Sequence, residues 1–394
     1  MSREKWLLPE GIEEFLPNEA AALETLRGKL LSHFKTWGYE LVIPPLVEYL
    51  DSLLTGTGND LDIQTFKLID QINGRTMGVR ADMTPQVARI DAHRVGRDNV
   101  TRLCYIGTTL QTRPDDFTKA RSITQVGAEI YGHQGDQSDI EILLLLLSML
   151  KQLGIPGLHL DLGHVGVFSH LIKCYGIDNN LESQLFDVLQ RKSVHEIEAL
   201  MREHRRSVDE IEIFKKLCTL HGGVEVLQEA REQLANTKPE VLQSIASMQA
   251  IADALKLQFP DVTLHCDLSE LRGYQYHTGI VFAAYNVDHS QAIAKGGRYD
   301  NIGAAFGRAR PATGFSADLR ILLRLSNIGS ENGDRILAPW LENDTKLRQK
   351  IDELRAANNI VINQLPGNSD SAEQLGCNAE LVKSASGDWE VIAL

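Results

Sequence analysis

The first 160 residues alternate between segments with helical spacing of hydrophobic residues and short apolar runs of strand composition. Residues 18–35 place apolar side chains every three or four positions and end before Gly38, which predicts an amphipathic helix. Two further helices are predicted over residues 84–95 and 138–153. An Asn-Gly pair at 73–74 predicts the turn of a hairpin. The predicted strands and hairpin cover residues 39–43, 65–79, 102–106 and 125–131.

From residue 165 to residue 260 the pattern is almost purely helical, with charged residues around leucines at helical spacing. We interpret this block as a helical insertion into the domain that surrounds it. Strands are predicted again at 262–266 and 280–284. A glycine turn at 295–300 and a helix-like stretch at 317–326 follow them.

The polar, glycine-containing residues 326–333 predict a linker between two domains. Residues 1–325 then form the first domain, with the insertion at about 165–260, and residues 334–394 form a small α/β C-terminal domain. The predicted fold class is α+β, because a mainly antiparallel sheet is flanked by helices.

The composition of the 394-residue chain is that of an ordinary globular protein. Its formal net charge of −13 opposes binding to a phosphate backbone, so nucleic acid is not an expected partner. The longest apolar run, at residues 142–147, is too short to span a membrane, and the first residues lack the apolar segment of an export signal. Five widely spaced cysteines favour reduced thiols, and we expect a cytoplasmic protein.

The sequence predicts neither a metal site nor a cofactor. The densest histidine cluster, His159 with His164 and His170, lacks ligand spacing with carboxylate or thiolate support. The chain also lacks the G-x-x-x-x-G-K-[ST] pattern of a phosphate-binding loop.

Four segments carry the candidate chemistry, and their order and spacing are more specific than any one of them. They are VRADMTPQVAR at 79–89, IGTTLQTRPDDFTKARSITQVGAEIYG at 106–132, LRGYQYHTGIVF at 271–282, and the stretch from KGGRYD to TGFSADLR at 295–320. Together they resemble the histidyl-tRNA synthetase catalytic domain, a class II aminoacyl-tRNA synthetase fold, over residues 8–325. The ADMTPQVAR segment and the short tail further resemble the regulatory subunit of short-form ATP phosphoribosyltransferase, a synthetase relative in histidine biosynthesis.

The resemblance implies a site for L-histidine, and these segments contain the side chains that such a ligand needs. A zwitterion requires acceptors for its ammonium group and a cation for its carboxylate, and an imidazole requires a partner at each ring nitrogen. By analogy with the synthetases, Asp82, Thr84 and Gln125 would hold the ammonium group. Glu129 would hold one imidazole nitrogen, and Arg272 would lie on the carboxylate side. The full predicted site consists of Asp82, Thr84, Gln125, Glu129, Arg272, Tyr276 and His277.

Departures from the synthetase pattern argue against chemistry on ATP. Gln111 stands where motif 2 of the synthetases presents a phosphate-binding arginine, and a neutral amide cannot neutralise a phosphate. Asp82 replaces a longer glutamate, Gln275 replaces an aspartate and His277 replaces a tyrosine, so histidine recognition is altered only in part. Positive charge for an anionic ligand remains in the motif 2 loop, on Arg113, Lys119 and Arg121.

The resemblance therefore implies a catalytically silent subunit rather than an enzyme. Such a subunit activates a separate, short ATP phosphoribosyltransferase catalytic chain and conveys feedback inhibition by L-histidine. The family pattern implies a hetero-oligomer with that chain, of hetero-octameric size. Motif 1, at residues 38–48, implies self-association as a dimer.

Two other interpretations remain open. A divergent histidyl-tRNA synthetase, or a tRNA-independent amino-acid adenylating ligase, would share the binding framework. Position 111 and the short tail distinguish that class from a regulatory subunit. A free-standing histidine-sensing module would require a fused effector segment, and none is visible in the sequence.

Overall fold

The computed structural model describes residues 6–56, 59–114, 120–274, 276–328 and 334–394 of the chain. Contacts among these residues divide the chain into two units, Met1–Ile328 and Gly329–Leu394. Each unit has its own hydrophobic core.

The larger unit begins with the helix α1 (Pro17–Thr36), which matches the predicted amphipathic segment. Leu26, Leu30 and Phe34 are buried along one face of α1 at the predicted spacing. Pro17 suits the first turn because a backbone N–H at that position has no partner within the helix. The next helices along the chain are α2 (Leu50–Leu53), α3 (Asn59–Gln64), α4 (Thr84–Ile90) and α5 (Asp136–Gln152).

Six helices follow α5 and surround a shared apolar core. Asp178 and Ser207 cap two of them, because their side chains accept hydrogen bonds from backbone N–H groups of the first turn. These helices are α6 (Val165–Cys174), α7 (Asn179–Gln190), α8 (Val194–Glu203), α9 (Val208–Thr219), α10 (Val226–Gln233) and α11 (Pro239–Gln258).

Twelve strands are present in the described part of the larger unit. They are β1 (Glu40–Leu41), β2 (Val47–Tyr49), β3 (Phe66–Ile69), β4 (Thr76–Val79), β5 (Thr101–Leu110), β6 (Ser122–Tyr131), β7 (Leu158–His164), β8 (His221–Gly222), β9 (Thr263–Asp267), β10 (Ile280–Asn286), β11 (His289–Arg298) and β12 (Ala312–Asp318). Two short helices complete the unit, α12 (Ile302–Ala305) and α13 (Leu319–Leu325).

Nine of these strands form one sheet, in the order β1-β5-β6-β12-β11-β10-β7-β9-β8. Only the β1–β5 and β7–β9 pairs of this sheet are parallel. The strands β2, β4 and β3 form a separate antiparallel sheet that contains the predicted hairpin. The predicted α+β class, with a mainly antiparallel sheet flanked by helices, is confirmed.

The central strands of the large sheet have one apolar and one polar face. On β6, Val126, Ala128 and Ile130 belong to the core against which α5 packs. Gln125 and Glu129 point to the opposite face, because successive side chains of a strand alternate. We call this opposite face the open face of the sheet.

Residues 295–300 are not a turn, so that prediction is wrong. The first four of them end β11, and Gly296 and Gly297 pair with strands on both sides. A Cβ atom at Gly297 would lie 2.6 Å from the carbonyl oxygen of Ile280 and 2.7 Å from the ring of His277. The close approach of these groups, and not a turn, requires glycine here.

Two other sequence predictions need correction. The helix predicted at 317–326 begins too early, because β12 continues to Asp318, whose carboxylate then caps α13. The strand β7 was not predicted, because its His159 and Asp161 gave the segment a polar pattern. Both residues lie on the open face of the sheet, where polar side chains are tolerated.

Arg298 connects the end of β11 to the start of α5 through hydrogen bonds. The residue is 6% exposed, and its guanidinium group donates to Asp139 Oδ2 at 3.0 Å and to Ser138 Oγ at 2.8 Å. It also donates to the carbonyl oxygens of His133 at 3.2 Å and Gly135 at 3.1 Å. The arginine of the GGRYD segment is therefore a structural residue.

The smaller unit is a four-stranded sheet with one helix. Its elements are β13 (Arg335–Ala338), α14 (Thr345–Ala356), β14 (Ile360–Asn363), β15 (Ala379–Lys383) and β16 (Trp389–Ala393). The strand order is β14-β13-β15-β16, and β13 runs parallel to both of its neighbours. Ile336, Leu347, Ile351 and Trp389 contribute to its core.

None of the helices in the described residues has the length and apolar character needed to cross a membrane. The same residues contain no group of three or more histidine, cysteine, aspartate or glutamate side chains arranged to hold a metal ion.

We predict that Arg298→Met lowers the free energy of unfolding by about 3–5 kcal/mol, because it leaves the buried Asp139 carboxylate without its cation. Urea denaturation at neutral pH measures this loss. Arg308→Met is the matched control, because its partner Asp98 is fully exposed and remains hydrated when the arginine is removed. Equal losses for the two variants would contradict a structural role for Arg298.

Candidate ligand-binding site

Three adjoining cavities lie over the open face of the large sheet. Their volumes are about 520, 230 and 290 Å³, and we call them cavities 1, 2 and 3. Lys295 lines all three, and Asp82, Arg272 and His277 each line two. The seven residues predicted from the sequence all line at least one cavity: Asp82, Thr84, Gln125, Glu129, Arg272, Tyr276 and His277.

Three parts of the chain bring these residues together. Asp82 and Thr84 lie at the junction between β4 and α4, and Gln125 and Glu129 lie on β6. Arg272, Tyr276 and His277 come from the loop between β9 and β10. This arrangement explains why segments that are far apart in sequence form one site.

Glu129 is the most deeply buried acid of the site, with 1% of its surface exposed. It accepts hydrogen bonds from the hydroxyl groups of Tyr105, at 3.0 Å, and Tyr299. Burial raises the pKa of Glu129 to about 8, although the two tyrosine hydroxyls act in the opposite direction. A Cβ atom at Gly314, the residue opposite on β12, would overlap the carboxylate, so this position admits only glycine.

A hydrogen-bonded polar group around Asp82 lines cavities 1 and 2. Gln125 donates from Nε2 to Asp82 Oδ1 at 2.8 Å and accepts at Oε1 from the backbone N–H of Met83 at 2.9 Å. The backbone N–H of Thr84 also donates to Asp82 Oδ1, at 3.1 Å. These contacts fix the Asp82 carboxylate, and they leave its second oxygen for a cationic ligand group.

His277 presents a hydrogen-bond acceptor to cavity 2. Its Nδ1 lies 3.2 Å from the carbonyl oxygen of Arg272, which can only accept, so Nδ1 carries the hydrogen. Burial lowers the pKa of His277 to about 4, which keeps the ring neutral at pH 7. Its Nε2 is then unprotonated. Tyr276 stacks on Tyr299, with ring centroids 5.2 Å apart, and closes the side of the cavity.

Arg272 lies between cavities 1 and 3 and is held by an acidic partner. Its guanidinium group donates to Glu270 through Nε at 3.1 Å and through Nη2 at 2.7 Å. Nη1 donates to the hydroxyl of Tyr285 at 2.9 Å, and Asp161 lies 4.0 Å from Nη2. Two N–H groups stay available to a ligand, but the positive charge is already balanced.

Gln111 lines cavity 1, so the position that replaces the synthetase arginine faces the ligand space. Arg121 is engaged elsewhere, because its guanidinium group donates to the carbonyl oxygens of Gln111 and Glu10. Arg113 is exposed. Lys119 and Gln275 lie outside the described residues.

Sequence reasoning missed several residues that complete the site. Tyr105 and Tyr299 hold Glu129, Glu270 holds Arg272, and Lys295 lines every cavity. Tyr299 and Lys295 belong to the quoted KGGRYD segment, but their place depends on the pairing of β11 with β10 and β12. No local sequence signal gives that register.

Two family models match the chain. The model described as histidyl-tRNA synthetase matches residues 11–322, and the model described as the C-terminal domain of the ATP phosphoribosyltransferase subunit HisZ matches residues 333–392. Both agree with the resemblance that the motifs predicted.

Curated and solved proteins give the same result. An ATP phosphoribosyltransferase regulatory subunit from Thioalkalivibrio sulfidiphilus is 51% identical, with 99% of each chain covered. A solved Bacillus halodurans protein, described as an ATP phosphoribosyltransferase regulatory subunit/histidyl-tRNA synthetase, is 25% identical with a TM-score of 0.81, covering 94% of this chain and 96% of that one. A Thermotoga maritima chain, from a structure titled ATP phosphoribosyl transferase (HisG:HisZ) complex, shares the fold at 18% identity and a TM-score of 0.58, covering 75% of this chain and 96% of that one.

The identity to the Thioalkalivibrio protein extends over nearly the whole of both chains, and the two family models together cover both units. The class II synthetase-like fold predicted from the motifs is confirmed. The chain belongs to the family of ATP phosphoribosyltransferase regulatory subunits.

Proposed function

We propose that this chain activates a separate, short ATP phosphoribosyltransferase catalytic chain and conveys feedback inhibition by L-histidine. The observation that carries the proposal is the pair formed by Glu129 and His277 in cavity 2. These two side chains offer hydrogen-bonding groups to the two nitrogens of an imidazole. Membership of the family supports the regulatory role, and the side chains of the cavity support L-histidine as the ligand.

The ligand lies with its imidazole in cavity 2, between Glu129 and the unprotonated Nε2 of His277. Its ammonium group meets Asp82, Thr84 and Gln125, and its carboxylate lies towards Arg272. Because His277 is an acceptor, the ring nitrogen that meets it must carry a hydrogen.

The same cavities are poorly equipped for adenylation. Catalysis on ATP requires cations aimed at the charge that develops on the α-phosphate. Gln111 supplies a neutral amide, and Arg121 is bound to backbone carbonyl groups. We infer a site that binds an amino acid without activating it.

A regulatory subunit acts through a partner, and we propose a hetero-oligomer with the short catalytic chain, of hetero-octameric size. This complex works in the cytoplasm, where the five cysteines stay reduced; all five are free thiols in the structure.

L-Histidine inhibits only if it binds the inhibited arrangement of the complex more tightly than the active one, which typically requires 1–3 kcal/mol of coupling free energy.

We propose that two copies of this chain associate through the edge of the large sheet at β1. This strand has an unpaired edge, and the apolar side chains around it are exposed in the single chain. Leu41 is 45% exposed, Ile43 is 74% exposed and Leu46 is 50% exposed. An apolar patch on a sheet edge is typical of an interface.

The test of the regulatory role is phosphoribosyl-ATP formation by the cognate short catalytic chain, with this chain added at increasing ratio. We expect saturable stimulation, and we expect L-histidine to reverse it. Glu129→Ala should weaken the histidine effect by at least tenfold in half-inhibitory concentration while stimulation remains, because the imidazole loses its deepest contact. Exposed Glu203→Ala is the matched control.

Two outcomes would contradict the regulatory role. The first is the absence of stimulation at any ratio. The second is histidine-dependent exchange of pyrophosphate with ATP by this chain alone, which would identify an amino-acid adenylating enzyme.

For the dimer, we predict that Ile43→Lys increases the dimer dissociation constant by at least tenfold, because it places a charge in an apolar interface. Sedimentation velocity at micromolar concentration measures the two states. Val208→Lys is the control, since Val208 is 67% exposed at the start of α9, in the helical block. A wild-type chain that sediments as a monomer would contradict the proposed interface.

The protonation of Glu129 predicts a pH dependence of stability. Its pKa is about 8 in the folded chain and about 4.3 in an unfolded chain, so the folded state binds the proton more tightly between these values. The free energy of unfolding then falls as pH rises from 5 to 8, by on the order of 1 kcal/mol per pH unit from this group, and levels off above pH 8.

Glu129→Gln removes this contribution, so the variant should gain stability relative to the wild type as pH rises through that range. Urea denaturation at pH 5, 6.5 and 8 compares the two proteins. Glu203→Gln reports the effect of removing a surface carboxylate. A difference between Glu129→Gln and wild type that stays constant with pH would show that Glu129 is ionised in the folded chain.

A further inference from the structure

Lys295 lies on the open face of the sheet, where the described residues give it no hydrogen-bonding or ion-pair partner. It lies on β11, opposite Ser316 on β12 and Ala283 on β10. Its side chain lines all three cavities and is exposed to them. Its ammonium group makes no hydrogen bond or ion pair with any residue that the structure describes, although several acids surround the cavities.

The other cation of these cavities is already neutralised. Within the described residues, Arg272 and Lys295 are the basic side chains that line cavities 1 to 3. Arg272 forms a two-point ion pair with Glu270, and Asp161 lies 4.0 Å away. Among the described residues, Lys295 therefore supplies the positive charge that is available to an anionic ligand group.

The strand register sets the distance from Lys295 to the imidazole position. Gly297 on β11 pairs with Gly314, and Gly314 pairs with Glu129. Lys295 is two residues before Gly297 on the same face, so the two positions are roughly 6.4–6.8 Å apart along the strand. This direction leads from Glu129 towards Gln125, because Ser316 pairs with Gly127.

We place the side chain of the amino acid at Glu129 and its ammonium group at Asp82. Its carboxylate then points towards the position of Lys295 along the strand. Removing two charges from water is costly, and their mutual attraction offsets that cost only when each charge meets an opposite charge and its remaining hydrogen bonds are satisfied. Ser316 also lines cavities 1 and 2 beside Lys295 and adds a hydroxyl donor.

We infer that Lys295 binds the carboxylate of the amino-acid ligand and makes the site selective for the free amino acid over analogues that lack the carboxylate. This inference rests on the proposed function, because it assigns one more residue to the same histidine site. Arg272 then serves mainly to order the loop between β9 and β10 and contributes its two remaining N–H groups.

The test is calorimetric titration of the full-length chain with L-histidine and with L-histidinol, which has a hydroxymethyl group in place of the carboxylate. The proteins are wild type, Lys295→Met, Lys295→Arg and the control Lys238→Met. Lys238 is an exposed lysine at the start of α11, so its removal reproduces the change in net charge.

We expect wild type to bind histidine roughly 10- to 100-fold more tightly than histidinol, the range typical of a hydrogen bond to a charged group. Lys295→Met should lose that preference by binding histidine more weakly, with histidinol affinity kept within about threefold. Lys295→Arg should restore most of the preference, and Lys238→Met should behave as wild type.

Three results overturn the inference, and they are distinguishable. If wild type binds histidine but Lys295→Met keeps the preference for histidine, Lys295 does not bind the carboxylate and the proposed function stands. If Lys295→Met weakens both ligands equally, the residue acts on the whole site and not on the carboxylate. If wild type binds neither ligand, the histidine site itself is wrong and both proposals fail.

Discussion

The carboxyl group of Glu129 is buried in the protein interior, and the open face of the sheet is organised around it. Burial disfavours the charged form of an acid and raises its pKa, and hydrogen-bond donors around the acid offset this effect only in part. Two tyrosine hydroxyls supply those donors, and the absence of a side chain at Gly314 supplies the space. The opposite face of the same strands packs against α5, so the position of the carboxyl group is fixed by the hydrophobic core.

The remaining polar groups around the cavities come from strands and from the loops beside them. Asp82 and Gln125 form a hydrogen-bonded pair, and His277 has a neutral ring. Arg272 is neutralised by Glu270, whereas Lys295 is not paired with any described residue. A site with this distribution of charge suits a zwitterion with a ring. It does not suit a triphosphate, which needs several unpaired cations.

Much of this arrangement could be predicted from the sequence, because the predicted site residues that line the cavities lie in segments with a specific order and spacing. The helices with clear apolar spacing, α1 and α5, were also predictable. The pairing of distant strands could not be predicted from the sequence. Gly296 and Gly297 looked like a turn, because a sequence does not reveal that Ile280 and His277 approach them across the sheet. Lys295 was overlooked for the same reason.

The polar strand β7 shows a second limit of sequence reasoning. Its His159 and Asp161 lie on a face that is open to the cavities and therefore do not give the apolar pattern of a buried strand. The residues that support a ligand site are the ones that most often break the simple pattern, since their polarity serves the ligand and not the fold.

We propose that an amino-acid site on this synthetase-like fold regulates a catalytic partner. The affinity of L-histidine for the assembled complex is measured by equilibrium titration with and without saturating phosphoribosyl pyrophosphate (PRPP), the phosphoribosyl donor in the reaction of the catalytic chain. Because coupling between two binding sites is reciprocal, we predict that PRPP weakens histidine binding by roughly 5- to 150-fold. Equal affinity in the two titrations would contradict the claim, because a ligand that does not distinguish the two states cannot regulate the complex.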